Sequence, residues 1–306
     1  MVRTFQNFKI SHRLVPAAVT AGMLAGVGAI ASPAKAACFD KVTCPLAPGN
    51  SPIVTLEDEN STVTFDLGNQ AGLFDWVVDG VDQIFQEWFW YRLGDDGPEQ
   101  SIDTLELVDY KLTDTDFDPG NDNLIAKYLL KDVFEVELNW GLTGAPVGTG
   151  TSDIAESIKI NNISGGALDL SFFEYTDFDL SDTFFDDTVA FNNINVFTQM
   201  DNATMAQVSA IPDATAYEAG IFPDTLDKLN DGSPTNLTNT PPFGTSLGPV
   251  DATSAWQWDF NIARGGSVII SKDKLIKKKD VPEPGTVIAL LAAGSLGLAL
   301  KRRKLK

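Results

Sequence analysis

An all-β fold, an antiparallel β-sandwich with one short helix, is what the sequence predicts for its central part, and three observations predict it. About a dozen short runs from residue 53 onward alternate apolar with polar residues and are rich in β-branched and aromatic types. Between them stand clusters of Gly, Asn, Asp and Pro such as "LGDDGPEQ", "DPGNDN", "GLTGAPVGTG" and "NISGGA", which supply turns. Only one stretch reads as a helix, and no repeat of solenoid period is present, so helical and repeat architectures drop out.

The first strands are "STVTFDLG", "DQIFQEWFWYRL", "DTLELVDYKL", "NLIAKYLL" and "DVFEVELNW". In "EWFWYR" the two-residue period puts Trp88 and Trp90 on one face and Phe89 and Tyr91 on the other. Further along come "ESIKINNIS", "ALDLSFFEYTDFDL", "TVAFNNINVFTQM" and "ATMAQVSA". The helix follows in "FPDTLDKLNDG": Asp224 is placed to cap it, Asp227 takes the acidic position three later, Leu226 and Leu229 share a face, and Gly232 ends it. A long polar loop, "DGSPTNLTNTPPFGTSLGPVDATS", leads to the closing strands "SAWQWDFNIA" and "GSVIISKDKL". Trp256, Trp258 and Phe260 share one face of the first of these. The reading divides the chain into a leader (1–36), a β-sandwich domain (37–272), an exposed basic linker (273–281) and a terminal segment (282–306).

The leader opens with Arg3, Lys9 and Arg13, runs through "LVPAAVTAGMLAGVGAIA" and closes on Ala34-Lys35-Ala36, small residues at the alternate positions signal peptidase selects. This is a secretory signal peptide, and Sec export machinery is the partner it implies. Pro16 and several Gly in the apolar run weigh against a transmembrane helix, and Lys35 before Cys38 weighs against lipoprotein acylation. Cys38 and Cys44 stand at the mature N-terminus, where an oxidising compartment favours a small disulfide loop over free thiols.

Charge narrows the function. Of 22 Lys plus Arg against 42 Asp plus Glu, nine bases lie in the two terminal segments, so the middle holds 13 bases and 41 acids. Phosphate backbones are repelled by such a surface, and nucleic acid is excluded as a partner. The single histidine, His12, lies in the leader, which removes Ser-His-Asp and Cys-His catalysis and imidazole-bound zinc from the mature protein.

Two local patterns suggest binding. In "LTDTDFDPGNDNL", Asp114, Asp116 and Asp118 alternate, Gly120 permits a tight turn, and Asn121 and Asp122 add oxygen donors of the hard kind Ca²⁺ prefers. Pro119 where an EF-hand has glycine and Ile125 where it has glutamate leave an ordinary solvated acidic turn as the competing reading. No cofactor is expected beyond Ca²⁺ at this loop. The tetrad "TDFD" recurs at 176–179, where Asp177, Asp179, Asp182, Asp186 and Asp187 form a second acidic stretch beside Phe184 and Phe185. The other pattern is aromatic: Trp88 and Trp90, with Trp256 and Trp258, either fill the core or, on an exposed sheet, stack on sugar rings.

The terminal segment has its own logic. Thr286 to Leu300 is a 15-residue uncharged run, which as a helix spans roughly 22 Å, short of a bilayer core of about 30 Å. Pro282-Glu283-Pro284 precedes it, and Lys301, Arg302, Arg303 and Lys304 follow it as a basic stop. This order of triplet, Gly-containing apolar helix and basic cluster, on a chain with an export signal, resembles the PEP-CTERM sorting signal. The resemblance implies recognition by an exosortase, an integral-membrane cysteine protease or transpeptidase, in Gram-negative-type bacteria that make exopolysaccharide. It implies a tail held in the membrane until it is processed, against the simpler reading of a permanent anchor. It assigns nothing to the central domain.

These readings combine into an exported cell-surface or extracellular protein, not an enzyme, with a structural or glycan-binding role in the exopolysaccharide or biofilm matrix. Two alternatives stand beside it: a secreted carbohydrate-active enzyme that works through paired carboxylates, and a Ca²⁺-dependent adhesin.

Overall fold

A computed structural model describes residues 52–279. The cysteine pair, the leader, the Pro-Glu-Pro triplet, the apolar tail and its basic stop lie outside the described residues. In chain order the first strands are β1 (Ile53–Asp58), β2 (Ser61–Asp66), β3 (Gly72–Val78), β4 (Val81–Asp82), β5 (Gln86–Leu93), β6 (Gln100–Ser101), β7 (Glu106–Thr113), β8 (Asn123–Leu130) and β9 (Phe134–Thr143). Then come β10 (Thr151–Asn162), β11 (Leu168–Asp177), β12 (Asp187–Asn193), β13 (Val196–Met200), β14 (Thr204–Ile211) and β15 (Ala216–Ile221). Helix α1 (Asp224–Asn230) precedes β16 (Ser246–Val250), β17 (Ala252–Ile262) and β18 (Ser267–Lys278).

The strands form two sheets that face each other, as the sequence predicts. Sheet one runs β1-β2-β3-β5-β11-β17-β15, with β4 beside β3 and β6 beside β5; sheet two runs β16-β12-β13-β14-β18-β10-β9-β8-β7. Every pairing is antiparallel except a short parallel contact between β3 and β5. Sheet two alternates cleanly, β9 reading FEVELNWGLT with every second residue buried, because its outer face meets water. The central strands of sheet one are buried on both faces instead: β5 is QEWFWYRL with only its last residue exposed. Phe89 stacks on Phe172 at 5.7 Å and approaches Trp140 of β9, so it faces sheet two. The opposite face is roofed by α1 and the segments around residues 99 and 235: Trp90 donates to Asn230 Oδ1 at 3.2 Å, and Gln257 Oε1 accepts from the Leu237 N–H at 3.0 Å.

Several details depart from the sequence reading. Pro223, not Asp224, is the residue before the first helical turn, and no side chain caps it; Gly232, at φ +79°, does follow the helix as expected. "TVAFNNINVFTQM" folds back on itself as the β12–β13 hairpin, turned at Asn193 whose Oδ1 accepts the Asn195 N–H. Six strands escape the pattern, the two-residue β4 and β6 among them. β1 and β3 belong to the early hairpins, β15 is AYEAGI with few β-branched residues, and β16 lies in what reads as a polar loop. β15 tolerates this composition because α1 lies against it; a Cβ on Gly220 would meet Thr225 Oγ1 at 2.5 Å.

The largest departure is the basic linker. Residues 273–278 continue β18 between β14 and β10, and Lys272 and Lys274 are 4% and 0% exposed. Between the sheets they meet Glu87 and Glu174 of sheet one and Glu156 of sheet two. Lys272 Nζ lies 3.0 Å from Glu156 and also contacts Glu174; Lys274 Nζ lies 2.7 Å from Glu156 and also contacts Glu87. Removing these charges from water is costly, and each ammonium compensates by bridging carboxylates. Burial would lower Lys272, but Glu156, Glu174 and Glu87 together hold it above its ordinary value. Burial likewise pushes Glu156 up, and Lys272 and Lys274 outweigh it, leaving that carboxyl below its usual range. Three carboxylates face two ammoniums, and the imbalance falls on Glu174, raised to about 7 by burial, with Lys272 opposing and Glu87 and Glu156 adding repulsion.

Two outcomes follow. Lys272→Met strands Glu174 without a counter-charge, leaves Glu156 with Lys274 alone, and lowers unfolding free energy by about 3–5 kcal/mol in urea titration. Glu174 binds its proton more tightly folded (about 7) than unfolded (4.5), so its stabilisation is complete below the unfolded value and is lost as pH rises through the folded one. The melting temperature therefore falls between about pH 5 and 8, and Glu174→Gln, which keeps the neutral form, flattens that slope in a pH series of melts.

Candidate functional site

On the roofed face of sheet one, three neighbouring strands leave one end uncovered. Register pairs Ser171 with Arg92 on one side and with Asp259 on the other, so the three form a row across β5, β11 and β17. Beyond it a cavity of about 440 Å³ opens, lined by Arg92, Asp95, Asp169, Ser171, Asn236 and Asp259 among others. That volume lies within the range of small-molecule sites.

Arg92 forms the floor and is 3% exposed. Its Nη1 donates to Glu99 Oε1 at 2.7 Å and to the Thr235 carbonyl; its Nη2 donates to Asn236 Oδ1 at 2.9 Å and Ser171 Oγ at 3.2 Å. The guanidinium lies 5.5 Å over the Phe173 ring. So many contacts fix the floor and the wall at residues 235–236 in one arrangement.

Two carboxylates stand above this floor. Asp169 accepts from Asn261 Nδ2, and Asp259 accepts from Gln257 Nε2 at 2.9 Å. Asp169 lies opposite Asn261 in the ladder, so Asp259, two residues earlier, is its diagonal neighbour. Diagonal cross-strand positions are about 7–8 Å apart, near enough for both side chains to face one small ligand. Both are exposed, while the strand residues next to them are largely buried.

Of the residues singled out in the sequence, the acidic loop converges in space. Carboxylate oxygens of Asp114, Asp116 and Asp122 lie within 4.8 Å of one another, as do those of Asp116, Asp118 and Asp58, a β1 residue the sequence did not bring in. The loop also ties itself. Asp114 Oδ1 accepts the Phe117 N–H at 2.7 Å, Asp122 accepts from the Thr115 N–H at 2.9 Å and from its hydroxyl at 2.5 Å, and the Asn121 carbonyl accepts the Glu57 N–H at 2.9 Å. Burial first, then repulsion from Asp116, Asp58 and Asp114, raises Asp118 to about 6.

The tryptophans correct the stacking expectation. Trp88 and Trp90 are 0% and Trp256 and Trp258 1% exposed. Trp256 packs on Phe197 at 5.0 Å and Trp258 at 5.8 Å, and its Nε1 donates to the Ile194 carbonyl; the Trp258 Nε1 donates to the Pro212 carbonyl. Both sides of these strands are covered, so no indole face reaches a glycan. The groove residues Arg92, Asp169 and Asp259 were missed. Their signal was polar residues set two apart, "LDLS" and "WDFN", inside strands otherwise aromatic.

Comparisons with known proteins bear on the fold and on the tail. The domain is similar in structure to a bacterial glucoamylase complexed with acarbose, with a TM-score of 0.51 and 11% identity over 80% of this chain and 34% of the glucoamylase. A galactose 1-epimerase from Lactobacillus acidophilus NCFM gives 0.48 and 10% identity over 74% of this chain and 95% of the epimerase. The chain thus spans about a third of the glucoamylase's length. No curated protein matches it. The expectation that the chain is not an enzyme is corrected by this likeness: about a third of a carbohydrate-active enzyme's chain has a similar fold, so neither the fold nor the missing histidine rules out catalysis. Among the described residues no helix is long and apolar enough to cross a membrane. Residues 280–304 match the PEP-CTERM protein-sorting motif, so the chain carries that sorting signal, which indicates an exported protein associated with the cell envelope.

Proposed function

We propose that the domain is a carbohydrate-active enzyme of the cell envelope, working through Asp169 and Asp259 on the polysaccharide that surrounds the exporting cell. The diagonal placement of these two carboxylates over the Arg92 floor is the observation that carries this reading. One carboxyl donates a proton to the leaving oxygen of a glycosidic bond while the other draws a proton from water on the opposite side. The two strand positions are diagonal neighbours about 7–8 Å apart, and rotation of the side chains lets the carboxyls take up the separation of an inverting pair. Asn236 and Asn261 are placed to bond sugar hydroxyls, and the rigid floor keeps the groove shaped for a substrate. Support also comes from the fold shared with a glucoamylase that was crystallised with acarbose.

The test is turnover of envelope and reference polysaccharides by the exported protein, read as new reducing ends and, by NMR, as the anomer released first. Asp169→Asn and Asp259→Asn each lower the rate by about 10²- to 10⁴-fold, whereas Asp95→Asn at the rim changes it less than about tenfold. Absence of any new reducing end, or full rates in both amide variants, overturns the proposal.

A further inference from the structure

At the other end of β11 the chain gathers a second set of carboxylates that the carbohydrate reading does not use. It lies on the second copy of the "TDFD" tetrad. In the first copy Phe117 is 93% exposed, whereas in the second Phe178 is 1% exposed, so here the acids are drawn into the interior. Asp177 ends β11, Asp179 follows two residues later, and Asp251 sits at the corner between β16 and β17; one oxygen from each lies within 4.8 Å of the others. Asp177 is 1% and Asp179 7% exposed.

A fourth acid adds an independent observation. Asp187, the first residue of β12, is 0% exposed. Its Oδ2 accepts from Gln199 Nε2 at 2.8 Å and from the Leu180 N–H at 3.4 Å, while its Oδ1 has no partner. Gln199 Oε1 and Asp177 Oδ1 are also buried without partners. The Tyr175 hydroxyl donates to Asp177 Oδ2 at 3.3 Å and orients that carboxyl.

Elsewhere in this interior three glutamates are balanced by two lysines. Here the charges acting most strongly on Asp177 are Asp179, Asp251 and Asp187, and those on Asp187 are Asp201 and Asp179. Buried carboxylates with open lone pairs call for a cation or for protons. Oxygens sharing one Ca²⁺ at about 2.4 Å are at most about 5 Å apart, and Ca²⁺ tolerates an irregular set of carboxylates from separate segments.

We infer that Asp177, Asp179 and Asp251 form a divalent-cation site of the Ca²⁺ type that joins the end of β11 in sheet one to the corner where the chain passes from β16 of sheet two to β17. The site lies a strand's length from the Asp169–Asp259 groove, and its role is to hold the two sheets at this edge.

The exported protein is melted in EGTA and in about 2 mM CaCl₂, a concentration suited to exterior Ca²⁺ modules, and Tb³⁺ emission sensitised through Tyr175 is titrated with Ca²⁺ as competitor. Ca²⁺ raises the melting temperature by roughly 5 °C, and Ca²⁺ displaces the sensitised Tb³⁺. Asp251→Asn removes the Ca²⁺ increment and the emission. Asp116→Asn, which disables the exposed 114–122 loop, retains both responses. Absence of both responses in the parent protein, their loss in Asp116→Asn, or their persistence in Asp251→Asn overturns the inference. Should Asp251→Asn fail to fold, Asp179→Asn is read in the same way, and the emission of Asp116→Asn decides alone.

Discussion

The structure turns on two lysines placed where lysine is seldom found. Lys272 and Lys274 sit between the sheets, each bridging glutamates from both, so that Glu87 and Glu174 of β5 and β11 are tied to Glu156 of β10 through β18. Such a cluster is a weak source of net stability, because desolvation consumes most of the attraction. Its effect is on register. A slip of β18 by one residue would turn both ammoniums to the outer face of sheet two and leave three carboxylates in an apolar interior. Few alternatives carry so large a penalty, so the sheets meet in one alignment, and the groove on the far side of β5, β11 and β17 inherits that alignment.

Most of the fold was legible in the sequence because most of its strands obey the two-residue period. β9 and β10 alternate as a half-solvated sheet must, and turns fall at Gly and Asn clusters between them. Legibility fails where a strand has no wet side. β5, β11 and β17 are buried on both faces, so their polar residues mark ion pairs or a site and not the solvent side. β15 and β16 fail for a related reason: their residues answer to a helix or a sheet edge, and neither imposes β-branched side chains. The "KDKLIKKK" run misled most, since five lysines in eight residues read as solvated chain when two of them are core residues.

The sites divide along the same line. The 114–122 loop could be found because sequence-local acids meet in a local turn, although Asp58 joins from β1 without any sequence signal. The tryptophan pairs were correctly placed on shared strand faces, but periodicity is silent about whether a face is covered, and both faces are. Asp169 and Asp259 are 90 positions apart and meet only through the β11–β17 ladder. Asp177 and Asp179 likewise meet Asp251 from a distant segment, and the one clue in the chain was a repeated tetrad with a different fate for its phenylalanine.

The position of β18 fixes how near the folded body stands to the sorting motif. The strand ends at Lys278, and the Pro-Glu-Pro triplet begins four residues later. An extended chain covers at most about 3.5 Å per residue, so no more than roughly 14 Å separates the last strand from the triplet. The end of the domain nearest the triplet carries Lys277 and Lys278 exposed on its surface, two bases on an otherwise acidic chain, so whatever recognises the triplet works beside the one edge of the body that does not repel an anionic surface.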